Sequence, residues 1–330
     1  MSLQYMPSTI PPLLLSLVFL SLSFLVLLSP WVPLLSRLSR HGQTLRSAGS
    51  RPSPGASAVE RLLMHQLPKS YFSHFYLYST VLTSSLLLTR LSSLPLSLFL
   101  LHSLRRLYET KLVQKHSPSS TMSLPAYLLG LTFYTLAPLC YLAPSKEAGR
   151  AVGVVVFWVA SLGQHDSHKR LAKLRRRGEA DASYPPPPTG GLFRYSLCPH
   201  YFCETCIYLG LFLLSAPSAL RSPWAHLAAT PGFAVWVWTV AALGEGGEST
   251  RRAVAERCGE GTVGRRGAAG LNLAMVAEDV LEAAFGAPPR RRGEGGGGEE
   301  EGERGEEGSR CAAVANGKEK KKGAMIDKND

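Results

Sequence analysis

The chain has 330 residues and a formal net charge of +12, with 36 Lys and Arg against 24 Asp and Glu. Length alone would suggest about two soluble domains, yet residues 1–36 carry no charge and residues 287–330 are crowded with it. Six cysteines are too sparse for a secreted disulfide framework, and the basic residues sit in short clusters between apolar runs, a pattern of membrane orientation that argues against a nucleic-acid partner.

The segment from Ile10 to Leu35 is uncharged and rich in Leu, Val and Phe, long enough to cross a hydrocarbon core of ~30 Å. It lacks the basic start and small-residue cleavage site of a signal peptide, so it reads as a retained helix. Residues 42–58 read as a flexible linker. Further apolar segments follow at 71–89, 91–104, 124–143, 150–163, 204–220 and 223–243. Those at 91–104 and 150–163 are short and must borrow flanking residues or tilt little.

The expected fold is therefore all-α and membrane-integral, with about seven transmembrane helices. With a lumenal N-terminus, the cytosolic segments 37–70, 105–123 and 164–200 carry Arg37, Arg40, Arg46, Arg51, Arg61, Lys69, Arg105, Arg106, Lys111, Lys115, Lys169, Arg170, Lys173, Arg175, Arg176, Arg177 and Arg194. The opposite side holds only Arg90, Lys146, Arg150 and Arg221. That asymmetry puts the large loops in the cytosol. Pro185 to Pro188, before Thr189, Gly190 and Gly191, form a stiff stretch ending in a turn. From Ala287 the chain is low in complexity and expected to be disordered. The organisation is read as an N-terminal helix and linker (1–70), a catalytic bundle (71–244), a degenerate cytosolic segment (245–286) and a charged tail (287–330).

Four constellations can carry chemistry. His65, Gln66, Tyr71, His74 and Tyr76 surround the mouth of a span; they suit an aromatic interfacial belt or a polar site at membrane depth. His102, Arg105, Arg106 and Glu109 fall on one helical face, as a stop-transfer cap or as an anion clamp whose guanidinium forks suit phosphate. Gln164 to Arg175 form a basic amphipathic stretch, fit for anionic lipid or for phosphate. The fourth, Gly190 to Cys206, contains Tyr195, His200, Tyr201 and Glu204. The spacing of Cys198, His200, Cys203 and Cys206 matches no standard zinc site, and no metal is expected. The ionisable Glu204 at the start of an apolar segment is the better functional flag.

The stretches LPKSYFSHFYLYS (67–79), LHSLRRLYE (101–109) with AYLLGLTFY (126–134), QHDSHKRLAKLR (164–175) and GGLFRYSLCPHYFCETCIYLG (190–210) together resemble the polyprenol reductase branch of the steroid 5α-reductase family. The resemblance covers roughly residues 10–243. It implies a multi-pass endoplasmic-reticulum membrane protein holding NADPH from the cytosolic side, which reduces the α-isoprene double bond of polyprenal or polyprenol in dolichol synthesis for N-glycosylation. A steroid 4-ene-3-one reductase, another enoyl-lipid reductase or a non-catalytic paralogue are the alternatives.

By the same resemblance His200, Tyr201 and Glu204 contact NADPH, with Arg105, Arg106, Gln164, His168, Arg175 and Tyr195 beside them. Gln66 and His102 stand where relatives place carbonyl donors, and His74 and Tyr76 are further catalytic candidates. The chain departs from the family at its closing His-x-x-Tyr-x-x-x-Phe helix, where STRRAVAERCGEGTVGRRGAAGLN (249–272) stands instead.

Overall fold

A computed structural model describes residues 12–28, 31, 57, 61, 65–89, 93–114, 120–142, 150–176, 188, 190–215, 230–258, 263, 264, 266, 267 and 270. The described residues contain the helices α1 (Pro12–Leu28), α2 (Phe72–Leu88), α3 (Leu94–Tyr108), α4 (Leu124–Leu136), α5 (Arg150–Arg176), α6 (Pro199–Ser215) and α7 (Pro231–Cys258). Each falls on one of the expected apolar segments. The 42–58 linker (Ser57 apart), most of the polyproline run, residues 271–286 and the 287–330 tail lie outside the described residues.

Local chemistry starts these helices. Ser-Leu-Pro occurs at 93–95 and again at 123–125. In both, the serine caps the helix, accepting from Leu96 N–H at 3.2 Å and Ala126 N–H at 3.4 Å. The proline sits in the first turn, where its missing N–H costs nothing. Proline also opens α1, α6 and α7. Two helices outrun the expected spans: α5 continues through its polar residues to Arg176, and α7 crosses Gly244 without a break. A short antiparallel ribbon pairs β1 (Gln66–Pro68) with β2 (Thr121–Ser123), Leu67 opposite Met122. This was not anticipated, since three-residue strands leave no periodic signal.

Among the described residues one stretch, Leu124–Tyr141, is apolar and long enough, at 18 residues, to cross a bilayer by itself; Leu13–Leu28 is a shorter apolar helix. Several helices expose apolar side chains, among them Leu17, Phe24, Leu77, Val81, Leu128, Val155 and Leu162.

The interior is aromatic. Phe133 stacks on Trp238 at 4.7 Å and meets Phe19 and Tyr208 edge-on, which ties α1, α4, α6 and α7 into one core. The α5 and α6 backbones touch: a Cβ on Gly210 would lie 2.8 Å from the Gly153 carbonyl oxygen. Such small-residue crossings are how apolar helices approach closely without a hydrophobic drive. Pairs along the helices fix their directions. Gly210 meets Gly153 while Cys203 meets Gly163, so α6 runs antiparallel to α5. Ser79 bonds Ser103 and Tyr76 bonds Arg106, so α2 is antiparallel to α3. The C-terminal ends of α3 and α5 therefore share one end of the bundle with the N-terminal ends of α2 and α6.

Candidate active site

That shared end holds a buried polar cluster. The last turn of α3 presents His102, Arg105 and Arg106, and Glu109 opens a π-helical turn (Glu109–Val113). Residues five apart on an α-helix lie about 140° apart. Here the Gln114 N–H closes on the Glu109 carbonyl at 2.7 Å, the wider ring of a π-turn. Gln114 is thereby carried over Glu109, and its amide comes 3.0 Å from His168 Nδ1.

Two guanidinium groups face two carboxylates. Glu109, fully buried, accepts from Arg105 at 2.5 Å, from Arg106 at 2.7 Å and from His165 at 2.9 Å. Glu204 accepts from His102 Nε2 at 3.1 Å and from the Gln164 amide, with Arg106 Nε 3.8 Å away. Gln164 is a bridge that only an amide makes. Its oxygen accepts from Arg105 at 2.5 Å while its nitrogen donates to Glu204 and to the His200 carbonyl. Matched charges with satisfied hydrogen bonds are what let such groups be buried at all.

Arginine only donates, and this fixes the protons on its neighbours. Arg105 lies 3.2 Å from His102 Nδ1, so Nδ1 accepts and the proton on Nε2 goes to Glu204. Arg106 donates to His168 Nε2 at 2.7 Å, and the Gln114 amide nitrogen meets Nδ1 on the other side of the ring. Arg106 also donates to the Tyr76 hydroxyl oxygen at 2.9 Å, its guanidinium 5.0 Å from the ring centre; the phenolic hydrogen remains to be given elsewhere. Burial, reinforced by Arg106, holds His168 well below the ordinary imidazole value. Burial opposes ionisation of Glu109, but Arg106 and Arg105 outweigh it and keep this carboxyl below its usual range.

Of the residues singled out in the sequence, the cluster brings together Tyr76, His102, Arg105, Arg106, Gln164, His168 and Glu204. His200 adjoins it, its ring 5.4 Å from His168 and 4.3 Å from Tyr201. His74 does not join. Two residues before Tyr76, it faces the other side of α2, where Nδ1 lies 3.3 Å from the Tyr127 hydroxyl and the ring packs on Tyr71. Gln66 sits on the β1 ribbon, which leads through a short turn (Lys69–Tyr71) into α2. The Arg175 side chain lies outside the described residues. Glu109 is legible from its place on the clamp face and His165 from the motif it shares with Gln164 and His168; Gln114 has no sequence signal, because the π-turn that delivers it has none. Among the described residues no group of three or more His, Cys, Asp and Glu side chains is placed to hold a metal ion, and burial pushes the Cys198 thiol up to about 11.

The chain beyond α7 returns to this end. Leu197 N–H donates to the Gly267 carbonyl at 2.8 Å and Gly267 N–H to the Tyr195 carbonyl at 3.0 Å. Leu197, Cys198, Val254 and Val263 close a small apolar cluster there, with Tyr201 against it.

A helical bundle with a buried arginine–carboxylate–imidazole cluster at one end is one part of the chain's character. The other is a match of residues 128–224, which hold Gln164, His168, His200 and Glu204, to the family model for 3-oxo-5-alpha-steroid 4-dehydrogenase. Among curated proteins the chain is similar to the polyprenal reductase of Saccharomyces cerevisiae, 34% identical over 175 residues, covering 51% of this chain and 65% of the relative. It is also similar to the polyprenal reductases of Caenorhabditis elegans (29% identical, 46% and 58% covered) and Ailuropoda melanoleuca (29%, 56% and 72%). The chain thus spans less than two thirds of the length of the yeast and nematode relatives. The resemblance carried by the four sequence stretches, to the polyprenal reductases of the steroid 5α-reductase family, is borne out.

Proposed function

We propose that the chain is an NADPH-dependent oxidoreductase that saturates the α-isoprene double bond of polyprenal on the way to dolichol for N-glycosylation. It works as a multi-pass protein of the endoplasmic-reticulum membrane, with about seven spans, a lumenal N-terminus and the site facing the cytosol. The carrying observation is the convergence of Tyr76, His102, Arg105, Arg106, Gln164, His168 and Glu204 at one end of the bundle, in a chain whose curated relatives are named polyprenal reductases.

The cluster fits a nicotinamide nucleotide. Arg105 Nε is buried without a hydrogen-bond partner among the described residues, a donor left for a polar ligand group. His200, Tyr201, Glu204, Gln164 and Tyr195, with Arg105, Arg106, His168 and Arg175, would hold the cofactor, which when bound supplies hydride to the β-carbon of the enal. The protein's own part is electrostatic. Tyr76 turns its hydroxyl, which also hydrogen-bonds with Tyr134, to the aldehyde oxygen, and Arg106, already bonded to that phenol oxygen, stabilises the charge that develops there. His102 and Gln66 are the further donors. His102, neutral with Nδ1 accepting from Arg105, can offer its Nε2–H to substrate only as a hydrogen bond after leaving Glu204, and the α-carbon takes its proton from water.

The test is polyprenal-dependent NADPH oxidation by the purified full-length chain in lipid discs, with the saturated aldehyde identified as product. No product with polyprenal would overturn the reading. A second reading, a 3-oxosteroid substrate, is favoured by the family match alone; turnover of a 4-ene-3-oxosteroid in place of polyprenal would select it. Turnover of neither would mark a non-catalytic paralogue.

A further inference from the structure

The two arginines expected to clamp phosphate are already neutralised by Glu109 and Glu204. Free positive charge lies on the opposite face of α5, where Asp166, Lys169, Arg170, Lys173 and Leu174 line an open cleft of about 270 Å³. That is below the ~300–1,000 Å³ of drug-sized sites and suits a single small anionic group. Its one carboxylate, Asp166, is committed to Arg170 Nε at 2.6 Å. Lys169 and Lys173, one helical turn apart, make no ion pair or hydrogen bond among the described residues, and like charges at that spacing repel unless an anion sits between them.

The wall is shaped for its arginine. Gly191 has a φ of 63°, the left-handed region, and a Cβ there would come 2.9 Å from Arg170 Nε. A Cβ on Gly190 would come 2.7 Å from Arg170 Nη1. Both glycines thus let the turn lie flat on a guanidinium that Asp166 already orients. A fixed arginine flanked by two unpaired lysines over an apolar floor is the chemistry of a phosphate site.

We infer that this cleft binds a phosphate-bearing anion, either an anionic phospholipid headgroup or a free phosphate. The cleft begins just past the apolar part of α5, at headgroup depth in the proposed orientation. The inference does not depend on the reductase reading, and its test measures no turnover.

The full-length protein would be placed in discs of phosphatidylcholine alone, of phosphatidylcholine with phosphatidic acid, or of phosphatidylcholine with millimolar pyrophosphate in solution. Amine acylation would then be followed by mass spectrometry at Lys169, Lys173 and, as reference, the exposed Lys111. Acylation of Lys169 and Lys173 relative to Lys111 should slow about fivefold or more with the right anion. Arg170→Ala should remove the protection at both lysines, and Lys169→Gln the protection at Lys173. Protection by phosphatidic acid assigns a lipid headgroup, and protection by pyrophosphate alone assigns a free phosphate. Equal slowing at all three lysines, or none, would overturn the site.

Discussion

At the scale of single residues, the cluster turns on which groups can only donate. Glu204 receives His102 and Gln164 and balances Arg106, so Glu204→Gln removes a charge while nearly keeping the shape. A polar contact to a bound cofactor is worth ~1–3 kcal/mol; the Michaelis constant for NADPH should rise about 10- to 100-fold, with polyprenal affinity changed far less. An unchanged constant would move the cofactor away from α6. A second prediction concerns acid. His168 is held neutral, its pKa well below 6.5, so the unfolded chain binds its proton first as pH falls. Its contribution to stability is complete above about 6.5 and is lost as pH falls from there toward the folded value, with a slope of at most ~1.4 kcal/mol per pH unit. Unfolding midpoints in detergent should therefore fall between pH 7.5 and 5.5, and His168→Gln should flatten that fall. A parallel fall in the variant would assign the acid sensitivity elsewhere. Much of this cluster was legible in the sequence, because ionisable residues beside apolar runs are costly without a role. His102, Arg105, Arg106, Gln164, His168 and Glu204 announce themselves that way. The partition of His74 from Tyr76 was not legible, since both are polar aromatics and only the rotation of α2 separates them.

At the scale of elements, the apolar segments located every described helix, because a long apolar run satisfies its own backbone most readily as a helix. Ends were less legible. The amphipathic stretch Gln164–Arg175 continues α5 without a break, and the Gly-Glu-Gly-Gly stretch that runs into the degenerate cytosolic segment is helical too. Contacts at the cluster and against Tyr201 override weak propensity there. The α5–α6 crossing is the element on which the site depends most, because it sets Gln164 against His200 and Glu204. Gly210→Ala inserts a methyl 2.8 Å from the Gly153 carbonyl and 3.0 Å from Phe157 N, both backbone atoms that cannot swing aside. The helices must separate, at a cost of about 1–3 kcal/mol, and the register of the cluster goes with them. Thermal unfolding should drop and reductase activity should fall steeply. Gly244→Ala, with nothing within 4 Å of its added methyl, serves as the control and should leave both unchanged.

At the scale of the whole molecule, the question is what the divergent end of the chain still does. Its Arg-rich composition suits a cytosolic segment that closes the site, and Gly267 does meet Tyr195 and Leu197. Gly267 docks through backbone: one parallel bridge joins it to Ser196, with donors from Leu197 and Gly267. Main-chain hydrogen bonds do not read side-chain identity, so this docking does not depend on which side chains the segment carries. Val263 adds the one apolar anchor, against Val254, Leu197 and Cys198, while Glu248 is held below its usual pKa range by hydrogen bonds from Arg251 and Arg252, burial opposing it. The return lies directly before His200 and Tyr201, so its loss should loosen the start of α6 and the proposed cofactor wall. A chain ending after Gly286 keeps all of this; a chain ending after Gly244 loses the last half of α7 and the bridge together. The first should insert in the membrane and reduce polyprenal as the full chain does. The second should insert and fail. Gly267→Pro in the full chain isolates the bridge, since it removes the N–H that meets Tyr195 at 3.0 Å without shortening α7. It should raise the Michaelis constant for NADPH severalfold, by ~1 kcal/mol for the lost bond, while leaving membrane level intact. Equal activity of the two truncations, with no effect of Gly267→Pro, would show that the returning segment has no part in the site.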